Sequence, residues 1–226
     1  MLPILGGMVR VTIWSDIHCP WAGAIVHRLR AARDAEGLDV LLDPRPWPLE
    51  LVNSQGTPHD IVMTEIAVLA QHEPSMYASY RNDSWPSTFM PAFELVAAAR
   101  RVHGDKGAEE VDYALRRAFL RKGIDVSIAP GLRQALDLAV SGGAQIDVET
   151  VLKVWGSESV RADVLADYER SKDLPIQGSP QIFLADGSTE HNPGLSDHVW
   201  RGGIPRLLSD DKDAPRRLLL RAVAAG

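Results

Sequence analysis

One cysteine occurs in 226 residues, Cys19, and that scarcity is the chain's most restrictive property. No intrachain disulfide can form, so nothing calls for an oxidising compartment, and the cytoplasm is the expected location. Long apolar runs are missing too: none approaches the roughly 20 residues of a membrane span. Residues 1–7 lack a basic start and a small-residue cleavage site, so they do not read as a signal peptide. Positive charge is in short supply, with 24 Lys and Arg against 30 Asp and Glu and a formal charge of −6. That balance argues against nucleic acid or an anionic membrane as the main partner. The basic pairs Arg100-Arg101, Arg116-Arg117 and Arg216-Arg217 read as solvated helix faces.

Several reaction classes leave no trace. There is no Gly-rich phosphate loop ending in Lys-Ser/Thr, no GxGxxG opening a helix, no His-Glu-x-x-His and no paired-cysteine zinc pattern. No Gly-x-Ser-x-Gly elbow supports a serine nucleophile. His18 and Cys19 have no third ligand at metal-site spacing, so no metal is expected.

What is there begins with a β-rich run. Val9, Val11 and Ile13 alternate with Arg10 and Thr12, which predicts a first strand. From Pro20, Ala24, Ile25, Leu29 and Ala32 recur at helical spacing up to a stop at Gly37. A second strand is predicted over 38–42, ended by the proline-studded 43–48. Strand, helix, strand is how a parallel βαβ unit begins. Residues 60–171 then show about six helical segments: 60–71, 92–103, 111–123, 132–140, 148–155 and 157–168. Asp147 and Ser157 stand where N-caps belong, and Val140, Leu165 and Tyr168 fall on the apolar stripes. Strand signals return at 181–184 and 189–191 around the turn 185–188, a predicted hairpin. A Gly/Pro-bearing stretch, 192–205, carries no motif, and a terminal helix is predicted over 214–225. The expected architecture is α/β, with 8–59 and 172–226 forming one domain and 60–171 an all-helical insertion.

Cys19 lies between the first strand and the first helix. A lone cysteine is commonly a small buried hydrophobe. A helix N-terminus, however, offers free N–H groups and partial positive charge that favour thiolate, so a pKa below that of a free thiol is expected. Pro20 suits the first helical turn. His18 either stabilises the thiolate or is an exposed spectator; Trp21 either walls the sulfur or simply packs. Trp14 and Asp16 read as shaping the strand end and turn.

The segment 14–22, Trp-Ser-Asp-Ile-His-Cys-Pro-Trp-Ala, resembles the active-site segment of the DsbA-like, and in particular FrnE-like, branch of the thioredoxin-fold superfamily. That pattern usually ends in a second cysteine, where this chain has Ala22. Residues 87–93 with 114–120 resemble the family's helical insertion, and 177–184 its cis-proline loop and following strand. The resemblance implies a thioredoxin-like fold interrupted by helices, with a cis Ser179-Pro180 bond facing Cys19. It also implies substrate binding by Pro20, Trp21, Ser179 and Pro180.

With no resolving thiol at position 22, Cys19 can only work as a monothiol, with His18 tuning it. A small thiol, or a second thiol on the substrate, would have to release the mixed disulfide. The expected partners are a disulfide-containing substrate and a small thiol cosubstrate, with no tightly bound cofactor. Two alternatives stand beside this. One is a thiol-dependent isomerase or transferase resembling kappa-class glutathione transferases and hydroxychromene-carboxylate isomerases, which normally carry serine where Cys19 stands. The other is a degenerate member that binds extended peptides without catalysis.

Overall fold

The computed structural model describes residues 8–56, 58–78 and 80–225. Residues 1–7, on which the signal-peptide reading bears, lie outside them. The first strand, β1 (Val9–Ser15), leads through a short loop into α1 (Pro20–Glu36), which ends on Gly37 in the left-handed region at φ 62°. β2 (Val40–Pro46) returns parallel to β1, with Val9 opposite Val40 and Ser15 opposite Pro46. After the helical segment, β3 (Gln181–Phe183) pairs antiparallel with β1, and β4 (Thr189–His191) with β3. The four-stranded order is β2-β1-β3-β4.

β2 runs four residues beyond its predicted end, straight through Pro44 and Pro46. Its place at the sheet edge explains this. In a parallel strand, successive N–H groups turn alternately to either side. The Leu42 N–H points away from β1 and donates to Glu109 Oε2 at 3.1 Å. Pro44 and Pro46 share its parity, so their missing donors fall on the free edge, where proline is tolerated. Glu109 closes what remains of that edge while also accepting from Arg30 and Arg33.

A short helix, α2 (Leu49–Val52), follows β2 and was not signalled by the proline-rich sequence. Then come α3 (His59–Leu69), α4 (Met90–Lys122), α5 (Ala129–Ser141), α6 (Val148–Trp155) and α7 (Glu158–Ser171). The two helices expected at 92–103 and 111–123 are continuous apart from a break at Gly104, whose φ of 69° is non-helical. Asp147 caps α6 by accepting from the Thr150 amide, whereas Ser157 makes no such bond to α7. Val140 and Leu165 face solvent instead of the core. The terminal helix, α8 (Ala214–Ala225), packs on α1 and β1.

The motif-free stretch holds a second, two-stranded sheet: β5 (His198–Arg201) and β6 (Ile204–Leu207). Gly202 and Gly203 turn between them at φ 58° and 77°, the pair of positive values that a two-residue hairpin turn requires. That Gly-Gly pair was the readable signal.

Arg116 corrects the reading of basic pairs as solvated faces. Its side chain is buried on α4, held by both oxygens of Asp112, and it donates to Ser15 Oγ and the Asp16 carbonyl, both at 2.8 Å. Arg117, the next residue, is exposed. Arg116 therefore ties the helical segment to the loop that carries Cys19. Removing one member of a buried ion pair strands the other without solvent, at a cost of about 3–5 kcal/mol. Arg116→Ala should lower stability by about that amount in urea denaturation, and combining it with Asp112→Leu should recover part of the loss. A single variant as stable as wild type would mean the network holds nothing together.

Candidate functional site

The loop from Ser15 to Cys19 is shaped by one buried carboxylate. Asp16 Oδ1 accepts from the His18 amide at 2.9 Å and lies 2.5 Å from His18 Nδ1, and its Oδ2 accepts from the Leu49 amide at 2.6 Å. The Asp16 amide donates to Ser179 Oγ at 2.9 Å, which draws in the loop before β3. Asp16 thus shapes the turn, as the sequence suggested. It also joins three separate segments, which the sequence did not reveal.

Cys19 occupies the N-cap position of α1, with Pro20 as the first helical residue. Its Sγ–H donates to the Ser179 carbonyl at 3.3 Å, across a sequence separation of 160 residues. The Ser179–Pro180 peptide is cis. Gly178 sits so close to the His191 ring that a Cβ would stand 2.8 Å from Cε1, so no larger residue fits without movement there. The Pro180 carbonyl accepts from the Asn192 amide and from His191 Nδ1.

All six residues singled out from the sequence come together here, and all are buried. His18 is no exposed spectator: it is 1% exposed and stacks on Phe89 with ring centroids 4.3 Å apart. Pro20 offers no free carbonyl, because Tyr77 donates its hydroxyl to it at 2.5 Å. Trp21 packs, stacking on His198 of β5 at 4.4 Å and donating Nε1–H to Glu65 at 2.8 Å.

The expected low thiol pKa is overturned. Burial of Cys19 removes the water that would stabilise a thiolate, and the negative charges of Glu65 and, to a smaller degree, Asp16 disfavour it further. Together these push the thiol up to about 12. The Ser179 side chain and the Ala22 amide at the helix start pull the other way and are outweighed. Helix-end polarity is real here, but desolvation is larger. Glu65 is raised as well, chiefly by its own burial.

Glu65, Tyr77 and His198 are site neighbours that the sequence did not disclose. Glu65 shares α3 with the buried Val62, Ile66 and Leu69, and nothing local marks it out. His198 precedes the Gly-Gly turn, so recognising that hairpin would have drawn attention to it. Among the described residues, no group of three His, Cys, Asp or Glu is arranged to hold a metal.

No protein-family model matches the chain. No curated protein matches it either. Solved structures do. A protein assigned as a DsbA oxidoreductase from Streptomyces coelicolor superposes with a TM-score of 0.64 at 20% identity, covering 96% of this chain and 91% of its own. A protein assigned as a disulfide isomerase from Nitrosomonas europaea gives 0.63 at 17%, covering 96% and 98%. The cytosolic disulfide reductase DsbM from Pseudomonas aeruginosa gives 0.56 at 21%, covering 96% and 100%. A 2-hydroxychromene-2-carboxylate isomerase gives 0.56 at 13%, covering 96% and 94%. At these identities the likeness is one of fold: this is the α/β, thioredoxin-like fold with a helical insertion, the architecture of DsbA-type proteins.

The inverted thiol energetics can be measured. Alkylation of Cys19 by iodoacetamide should be slow at neutral pH and climb toward a midpoint near 12, whereas the unfolded chain should react as an ordinary thiol. Glu65→Gln, which removes the negative charge while retaining an acceptor for Trp21, should move that midpoint down; an unmoved midpoint would discard Glu65 as a cause. The same shift predicts a pH slope in stability. Between the unfolded thiol's value of about 8.5 and the folded one, the unfolded chain releases a proton that the folded chain keeps, so stability falls as pH rises through that window. Cys19→Ala should lessen this slope, most clearly below the ordinary tyrosine value of about 10, because burial raises Tyr77, Tyr80 and Tyr113 as well and they add to the slope above it, as read by denaturation at several alkaline pH values.

Proposed function

We propose that the chain is a thiol–disulfide oxidoreductase of DsbA type, FrnE-like in its active-site segment, that works through Cys19 alone. The observation that carries the reading is the 3.3 Å approach of Cys19 Sγ to the Ser179 carbonyl, at the β1–α1 junction and beside Pro180. The fold shared with disulfide reductases and isomerases supports it. The DsbM protein has been obtained with glutathione, which makes a small thiol a reasonable cosubstrate here. A cytoplasmic setting would supply one.

At rest Cys19 is a thiol whose proton is engaged by Ser179. An extended substrate whose amide takes over the Ser179 carbonyl would release the sulfur. The Ala22 amide and the Ser179 hydroxyl then favour the thiolate, since Ser179 Oγ accepts from Asp16 and keeps its own hydrogen to donate. The thiolate attacks one sulfur of the substrate disulfide, the S–S bond breaks, and the departing thiolate takes up the proton that Cys19 gave to solvent. A small thiol, giving its proton to Cys19, next attacks the sulfur that the substrate left on Cys19, forming a disulfide between that fragment and the small thiol and returning Cys19 as a thiol. In each exchange the lone pair of the attacking thiolate makes the new S–S bond and the pair of the old bond leaves on the departing sulfur, so no external oxidant is needed. Ala22, fully buried, leaves no internal route for that second step.

One observation favours a second reading. A thiol kept protonated at neutral pH can serve as a hydrogen-bond donor to the sulfur of a bound small thiol, as a serine would in an isomerase or transferase of this fold. The two readings part at Cys19→Ser. With a glutathionylated peptide and reduced glutathione, turnover by the wild type should be lost in the variant; equal rates would remove the exchange reading. In the productive first step Cys19 attacks the glutathione sulfur and the peptide thiol leaves, so Ala22→Cys should release the glutathione held on Cys19 without added thiol in the first turnover, because the second step becomes internal.

A further inference from the structure

We infer that the cleft between α1, the second half of α4 and the end of α5 binds a small organic phosphate. The cleft encloses about 300 Å³ and shares no residue with the Cys19 site. That volume lies at the lower end for small-molecule sites. Three cations, Arg30, Arg117 and Lys122, line it against one carboxylate, Glu110, in a protein whose overall charge is −6. Arg30 is engaged by Glu109 and Glu110. Among the described residues neither Arg117 nor Lys122 has a carboxylate partner, although most arginines of this chain do. Two uncompensated cations suit a phosphate monoester, which carries about −1.5 to −2 charges at neutral pH. Ala114, Leu138 and Ala139 supply an apolar wall for the organic part.

Tyr113 connects this cleft to a second group. Its ring lies 4.5 Å from the Arg30 guanidinium and 5.9 Å from that of Arg117. Its hydroxyl is 2.7 Å from His27 Nδ1, and His27 Nε2 is 3.0 Å from Ser75 Oγ. Burial lowers the His27 pKa; Glu73 opposes this, and Arg117, Arg28 and Arg30 add to it. An anion seated beside Arg117 offsets part of that positive field, so His27 reports occupancy without contacting the ligand.

The test is titration of the full chain with glycerol 3-phosphate in low-chloride buffer, read by calorimetry and by the His27 imidazole resonances. Saturable binding with a shift at His27 is expected. Arg117→Ala/Lys122→Ala, both at exposed positions, should weaken it about tenfold or more, the loss of one charge-assisted contact or more. Arg201→Ala/Arg206→Ala makes the same charge change on the β5–β6 hairpin and should leave affinity unaltered. No saturable binding, an unchanged constant in the cleft variant, or an equal loss in the hairpin variant would each overturn the proposal.

Discussion

The buried carboxylate of Asp16 is the constraint on which the rest of this structure depends. The carboxylate holds the loop between β1 and α1 through His18 and the start of α2 through Leu49, while the backbone amide of the same residue donates to the Ser179 hydroxyl. Its carbonyl receives Arg116 from the helical segment. Four segments far apart in the chain thus meet within one residue's reach. A carboxylate out of water is tolerable only when its oxygens are filled with donors, and here both are. The position of Cys19, three residues on, follows from that satisfied network.

The same burial that makes the junction rigid makes its thiol reluctant to ionise. Cys19 has a helix start behind it and a serine hydroxyl beside it, both favouring thiolate, yet the dry surroundings and Glu65 outweigh them. A site of this kind rests in its protonated state and depends on an incoming partner to change the balance. Trp21, two residues beyond the sulfur, is held between two elements, with Glu65 of α3 on its indole nitrogen and His198 of β5 on its ring face. Access to the thiol and its ionisation are coupled, because whatever admits water to Cys19 also lowers the desolvation that holds its proton.

Much of this was legible one residue at a time. α1 starts at Pro20 and stops at Gly37 because proline suits a first turn and glycine a left-handed C-cap. The hairpin of β3 and β4 and the helix α8 fall where alternation and periodicity put them. What escaped was decided by neighbours. Pro44 and Pro46 read as a strand terminator, and they are allowed in β2 only because that strand is an edge. Arg116 and Arg117 are identical side chains in sequence, one locked against Asp112 and the other in solvent, since α4 turns them to different faces.

Family resemblance placed the serine–proline loop opposite the sulfur, and α2, β5 and β6 went unread; what the sequence determined by itself was the opening β-α-β order, the run of helices, the single sulfur at a strand–helix junction and the absence of a resolving thiol. These are local properties, set by backbone preference and by which residue types are present at all. Tertiary structure alone decided the state of the sulfur. Whether a cysteine is a thiolate or a thiol depends on how much water and which charges surround it, and those come from Glu65, Asp16, Ser179 and the side chains packed around them, contributed from across the chain. Desolvation is a property of the assembled volume, and no window of sequence around Cys19 contains it.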